Sequence, residues 1–335
     1  MTDLVQIQEL SKHYPVRRGL MQSTTSVVRA LDGVSLGIRE GECLALVGES
    51  GSGKSTLGRC VLALVDPSAG EVHFDSEDLF AMTSSARRKK RRDFQMIFQD
   101  PIGSLNPRQT VGSILAEPLE IHDMVPPFER HSRVLELLHM VGVPESAKAA
   151  YPHELSGGQR QRVAIARALA SAPRFLVADE PVSALDVSLR GQIINLLLDL
   201  RERLRLTVLF IAHDLAVVEQ IADRVAVMYA GQIVELASTD RVYRVPQHPY
   251  TVSLLSAVPR AERHSGRARV VLSGEPPNPA EFPEGCRFHP RCPIARERCR
   301  REEPVLVDVE SEHEVSCHFQ GELEWKGEPG QDGTF

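Results

Sequence analysis

The sequence predicts an α/β fold built on a parallel sheet, with a helical section inserted and a small cysteine-bearing region appended. Three observations carry this. Apolar runs of buried-strand type at 43–47, 175–178 and 207–212 alternate with helical patterns. A glycine-rich loop joins the first run to a helix, and the apolar spacing within 100–155 is helical.

Taken in order, Val5 and Ile7 alternate with polar neighbours, which is a strand signal. The run CLALV at 43–47 is followed at once by glycines at 48, 51 and 53. From 55 to 65 the pattern turns helical until Pro67 and Gly70 break it, and 71–74 is strand-like. Val134, Leu137, Leu138 and Val141 recur at helical spacing and Gly142 supplies a stop, so about 101–160 reads as a helical subdomain. Between the last two strand-like runs lies a helix expected to bury one face, formed by Leu189, Ile193, Leu196, Leu197, Leu200 and Leu204. The texture changes beyond Pro249. Residues 1–250 therefore read as one domain, 251–325 as a loop-rich extension and 326–335 as a flexible tail, with no internal repeat.

Composition sets the outer limits. The length, 335 residues, suits two domains at about 150 residues each. Charged residues at 25% and hydrophobic ones at 42% exclude both a disordered and a membrane-embedded chain. A net charge of −6 argues against wholesale coating of nucleic acid. No apolar run approaches the ~18 residues that span a bilayer, and the first 31 residues hold no secretory h-region, so a cytoplasmic chain is expected.

GESGSGKST, residues 48–56, matches G-x-x-x-x-G-K-[ST] between a predicted strand and a predicted helix. Gly48, Ser50, Gly51 and Gly53 let backbone N–H groups converge on phosphate oxygens, with Thr56 closing the loop at the amino end of the helix. Lys54 reaches the terminal phosphates, and Ser55 offers a hydroxyl to Mg²⁺. Asp179 follows the apolar strand in RFLVADEP and supplies a second oxygen for the metal, while Glu180 is placed to orient an attacking water.

Further motifs follow in order: IFQDP at 97–101, LSGGQRQR at 155–162, SALD at 183–186 and IAHDL at 211–215. Together with the loop they resemble the ATP-binding cassette (ABC) ATPases over about the first 250 residues. The resemblance implies a RecA-like P-loop NTPase core with antiparallel β and helical subdomains, binding ATP and Mg²⁺. It also implies that Gln99 senses the metal and the lytic water, His213 contacts the γ-phosphate and Tyr14 stacks on adenine. By the same resemblance, Ser156, Gly157, Gly158 and Gln159 are expected to form the signature that closes over a nucleotide on a second subunit, with Asp186 linking the two sites. HPYT at 248–251 and FPEGCRFHPRCP in the extension resemble the oligopeptide and dipeptide branch, which includes nickel systems. The stretch 91–112 is similar to the second ATPase of such importers. This implies a heterodimeric partner ATPase, two integral membrane permeases, an extracytoplasmic peptide-binding protein and a peripheral place on the cytoplasmic face of the inner membrane. Nickel or another solute is the alternative cargo. A rival class is a soluble ABC ATPase working on DNA or ribosomes. The single phosphate loop and about a hundred residues between Lys54 and Ser156 argue against it.

Two features stand apart. RRKKRR at 87–92 reads as a solvated helix face, with a membrane surface as the alternative and no nucleic acid, because no aromatic residue interleaves it. Cys286, Cys292, Cys299 and Cys317, spaced C-x5-C-x6-C-x17-C, are too wide for paired zinc ribbons and suit an iron–sulfur cluster. The family resemblance implies that it is a four-iron ([4Fe-4S]) cluster. Zinc and free thiols are the alternatives, with His289, His313 and His318 nearby as ligands, while Cys43 and Cys60 read as core residues.

Overall fold

The computed structural model describes residues 3–18, 23–183, 185–258, 272, 274–310 and 312–323. The tail expected at 326–335 lies outside the described residues, as does Ala184 of the SALD motif.

The first strands in the chain are long: β1 (Asp3–Arg18) and β2 (Ser23–Arg39) pair antiparallel. With β4 (Ala69–Phe74) and β5 (Glu77–Asp78) they form a four-stranded antiparallel sheet in the order β2-β1-β4-β5. A second sheet of eight strands carries the site. Its parallel centre consists of β3 (Cys43–Val47), β6 (Phe94–Ile97), β7 (Phe175–Asp179), β8 (Thr207–Ala212) and β9 (Arg224–Tyr229). β10 (Gln232–Ser238), β11 (Val307–Glu310) and β12 (His313–Val315) extend it antiparallel, giving β11-β12-β10-β9-β3-β8-β7-β6. Part of the extension thus joins the main sheet.

Every residue of β3, β7 and β8 is buried, as apolar runs covered on both faces require. β3 shows how the layers divide. Cys43, Ala45 and Val47 enter one core and Leu44 and Leu46 the other, because side chains alternate along a strand. The first core joins the sheet to the helical section, where Ile114, Leu115 and Leu119 of helix Val111–Ile121 meet Val134, Leu137 and Leu138 of helix Arg130–Met140. The second packs the antiparallel sheet and helix Lys54–Val61 against the opposite face.

Helix Val187–Leu204 departs from the expected face. Ile193, Ile194, Leu197 and Leu200 are buried, yet Leu204 is 42% exposed. The helix ends there: Arg205 turns into the left-handed region at φ 53°, and Leu206 points inward instead. Residues 87–90 of the basic run lie on helix Ser84–Lys90, which has no buried residue, and Arg91 and Arg92 follow its end. Arg87 pairs with Asp66 at 3.3 Å and Lys90 with Glu77 at 2.8 Å.

Candidate functional site

The carboxyl ends of β3, β7 and β8 meet at one edge of the parallel sheet, and the loops leaving them carry the polar residues of the site. The loop after β3 needs its glycines. Gly48 has φ 154° and a Cβ there would collide with the Met228 carbonyl oxygen, while Gly53 has φ 110° and would meet the Ala30 carbonyl oxygen. The loop is thereby pressed against β9 on one side and β2 on the other, and it leads into helix Lys54–Val61, whose first-turn N–H groups have no side-chain cap.

Lys54 is buried, and its ammonium donates to the carbonyl oxygens of Gly48 (2.8 Å) and Glu49 (2.9 Å). Burial pulls its pKa down, against the opposing pull of Glu180, Asp179 and Glu49. Ser55 Oγ donates to Asp179 Oδ1 at 3.0 Å, so the first turn of the helix and the end of β7 share one oxygen-rich point. Burial raises the Asp179 carboxyl above the usual range, with the Ser55 hydrogen bond working the other way.

Glu180 adopts φ 46°, uncommon for a residue with a Cβ, and its N–H donates to the Ile211 carbonyl at 3.0 Å. The two adjacent carboxylates have different partners, Asp179 taking Ser55. Glu180 Oε2 accepts from Gln99 Nε2 at 2.8 Å and stands 3.3 Å from His213 Nδ1. The acid therefore gathers the loops after β6 and β8. Gln99, Glu180 and His213 form one group, and Lys54, Ser55 and Asp179 its neighbour.

Other sequence-marked residues lie elsewhere. Ser156 caps helix Gly157–Leu169 through a reciprocal pair of bonds, its Oγ accepting from Gln159 N at 3.3 Å and Gln159 Oε1 accepting from Ser156 N at 3.0 Å. Gly157 and Gly158 form the first turn against Leu185 and Leu189. Among the described residues, no hydrogen bond of this cluster reaches the phosphate loop. Tyr14 is 39% exposed on β1 opposite Val28, with the Lys12 ammonium 5.0 Å from its ring centre. Asp186 stands at the start of helix Val187–Leu204.

The iron–sulfur expectation does not hold. Among the described residues, no group of three or more His, Cys, Asp or Glu is arranged to hold a metal ion. Cys286, Cys292, Cys299 and Cys317 do line one small cavity, and its other walls include Phe288, Ile294 and Phe319. All four are free thiols. Burial pushes Cys292 up to about 11 and Cys317 up to about 12, and Cys286 rises for the same reason, so the protonated form, which is a poor ligand, is favoured. The nearby histidines are engaged: His289 Nδ1 lies 2.9 Å from the Cys286 carbonyl oxygen, His318 Nε2 2.9 Å from that of Glu302 and His313 Nε2 2.8 Å from Glu235 Oε1. Nothing in this arrangement supports zinc either.

Comparison with known proteins matches residues 31–183 to the ABC transporter family and residues 234–299 to the oligopeptide/dipeptide transporter C-terminal region. The chain is 47% identical over 319 residues to the oligopeptide transport ATP-binding protein AppF of Bacillus subtilis, covering 94% of this chain and 97% of that one. The chain belongs to the ABC transporter ATPases. It is similar also to the dipeptide transport ATP-binding protein DppF of Haemophilus influenzae, 46% identical over 94% of this chain and 96% of that one. Among solved structures, a dimeric ATP-binding cassette, MJ0796, in a post-hydrolysis state with ADP and Pi superposes with TM-score 0.63 at 34% identity, over 70% of this chain and 98% of that one. The cassette cbiO1 of Clostridium perfringens gives 0.62 at 29% identity, over 72% and 91%. The ABC ATPase binds and hydrolyses ATP, and among its described residues no helix is long and apolar enough to cross a membrane.

Two relationships in this ABC ATPase were not anticipated. Glu49, inside the glycine-rich loop after β3, is joined to Arg291 of the extension, and buried Glu235 of β10 faces His313. A carboxylate within a loop meant for phosphate is the signal that could have revealed the first.

Proposed function

We propose that this ABC ATPase powers the import of dipeptides and oligopeptides across the cytoplasmic membrane. It works with a homologous second ATPase, two integral membrane permeases and, through them, an extracytoplasmic peptide-binding protein. It sits peripherally on the cytoplasmic face of the inner membrane.

In this reading the backbone of Gly48, Ser50, Gly51 and Gly53, with Thr56, cradles the phosphates, and Lys54 turns its ammonium from the loop carbonyls to the terminal phosphoryl oxygens. The convergence of Ser55 Oγ on Asp179 Oδ1 fits a magnesium site of hard oxygen donors, which Gln99 completes. The metal, when bound, neutralises charge developing on the phosphoryl oxygens. Glu180 accepts a proton from the attacking water, held in line by the Gln99 amide, while His213 steadies the γ-phosphate. Tyr14 stacks on adenine. Ser156, Gly157, Gly158 and Gln159 present a helix N-terminus to the nucleotide of the opposite subunit, with Asp186 beside the shared boundary.

The observation that carries this reading is that Gln99 and His213, from separate loops, both meet Glu180 Oε2. The test is reconstitution with the candidate permeases and second ATPase in vesicles. Phosphate release that rises several-fold with a peptide-loaded binding protein is expected. A complex that forms and hydrolyses ATP but ignores every peptide would overturn the assigned cargo.

A further inference from the structure

Glu49 stands between Gly48 and Ser50, so the loop assigned to a polyanion carries a negative charge of its own. Both of its oxygens are taken by a residue 242 positions away: Arg291 Nη1 donates to Oε2 at 2.8 Å and Nη2 to Oε1 at 3.0 Å, the two-pronged geometry of a guanidinium on a carboxylate. The Arg291 side chain is 7% exposed, and its Nη1 also lies 3.4 Å from the Tyr229 hydroxyl. The backbone of Glu49 is fixed from the same side, its N–H donating to the Tyr250 hydroxyl at 2.8 Å. Tyr229, Tyr250 and Phe288 pack with ring centres 4.6 to 5.5 Å apart and wall this contact. Arg291 belongs to the extension and Tyr250 stands just before it, so the extension and the residues leading into it hold the loop at its one acid. The same residue's carbonyl oxygen accepts from Lys54.

We propose that Arg291 is a positioning residue for nucleotide binding: by masking the charge of Glu49 and holding that stretch of backbone, it lets the loop admit a triphosphate. An unmasked carboxylate would repel the phosphates directly and compete for Lys54. Arginine suits the task because it keeps its charge and fills both carboxylate oxygens at once. The inference rests on the assignment of residues 48–56 to the phosphates.

The test measures MgATP binding by calorimetry on the full chain, with thermal melts to verify folding. Arg291→Gln is expected to weaken binding about tenfold at low ionic strength, and the deficit should shrink in roughly molar salt, where charges are screened within about 3 Å. Glu49→Gln combined with Arg291→Gln should return affinity to within about threefold of the parent, since no charge is left to mask. Arg291→Lys, which keeps the charge and loses the fork, should fall between the parent and Arg291→Gln. Parent-like binding by Arg291→Gln, or a double variant as weak as the single one, would overturn the proposal. If Arg291→Gln fails to fold, the double variant and Arg291→Lys decide it, because weak binding by both would leave a purely structural role. Lys54→Ala separates the underlying assignment. Parent-like affinity there would undo the phosphate loop itself, whereas lost affinity there with an unaffected Arg291→Gln would undo only the role of Arg291.

Discussion

Ser55 Oγ and Asp179 Oδ1 are 3.0 Å apart although their residues stand 124 positions apart in the chain. The contact joins the helix that follows β3 to the last residue of β7, and it brings the end of the glycine-rich loop and the strand-end acid together.

Asp179→Asn removes a charged oxygen from that point while keeping its shape. ATP hydrolysis should fall at least about a hundredfold, the scale of losing a preorganised charge at the reacting centre. Binding of ATP in the presence of a chelator should stay within about threefold of the parent. Phosphate release and calorimetry measure the two quantities, and equal losses in both would show that the acid holds the nucleotide rather than the metal.

Glu180→Gln should retain MgATP and lose turnover by about two to four orders of magnitude, the usual contribution of a general base. The variant should accumulate as an ATP-bound dimer with the proposed second ATPase on gel filtration. Turnover at the parental rate would show that another group takes the proton.

His248 is fully buried and burial pushes its pKa down to about 4 from an ordinary 6.5. Below pH 6.5 the unfolded chain takes up a proton that the folded chain refuses. Stability present above that pH should therefore be lost progressively until about pH 4, by about 3 kcal/mol. Urea unfolding at intervals across this range should show the slope, and His248→Gln should flatten it.

Glu235 is fully buried on β10 and accepts from the backbone N–H of Gln247 at 2.7 Å and of His248 at 2.9 Å, while facing His313 Nε2 at 2.8 Å. Glu235→Ala strands all three groups away from water. A loss of about 3 kcal/mol in unfolding free energy is expected, read as a lower urea midpoint. Glu235→Gln, which can still accept from one or more of them, should lose less.

Much of this was legible in the sequence because it is local. CLALV, the glycines after it and the helix opening at Lys54 are contiguous, so residue type alone predicts a buried strand, a turn with positive φ and a helix N-terminus. The adjacent acids Asp179 and Glu180 follow the same logic at the end of β7. Of the antiparallel sheet, only the start of β1 at Val5 and Ile7 and the stretch 71–74 of β4 stood out by pattern; that they form an antiparallel subdomain came through family resemblance, since the rest of β1 and β2 is interrupted by bulges. Leu204 misled because helical spacing does not announce where a helix stops. The cysteines misled because spacing reports proximity, while the apolar surroundings that keep thiols protonated come from Phe288, Ile294 and Phe319, which no spacing rule includes. Glu49 with Arg291 and Glu235 with His313 bridge 242 and 78 positions and leave no periodic trace.

β12 lies against β10, and β11 beyond it carries Asp308 and Glu310 toward solvent. A chain cut short near residue 250 would bare the hydrogen-bonding rim of β10, whose five central residues are buried and mostly apolar. Such a rim is a template for pairing with other molecules, and a short edge strand bearing charged side chains is a common guard against it. A truncated protein should therefore precipitate, and the residues beyond 250 serve solubility.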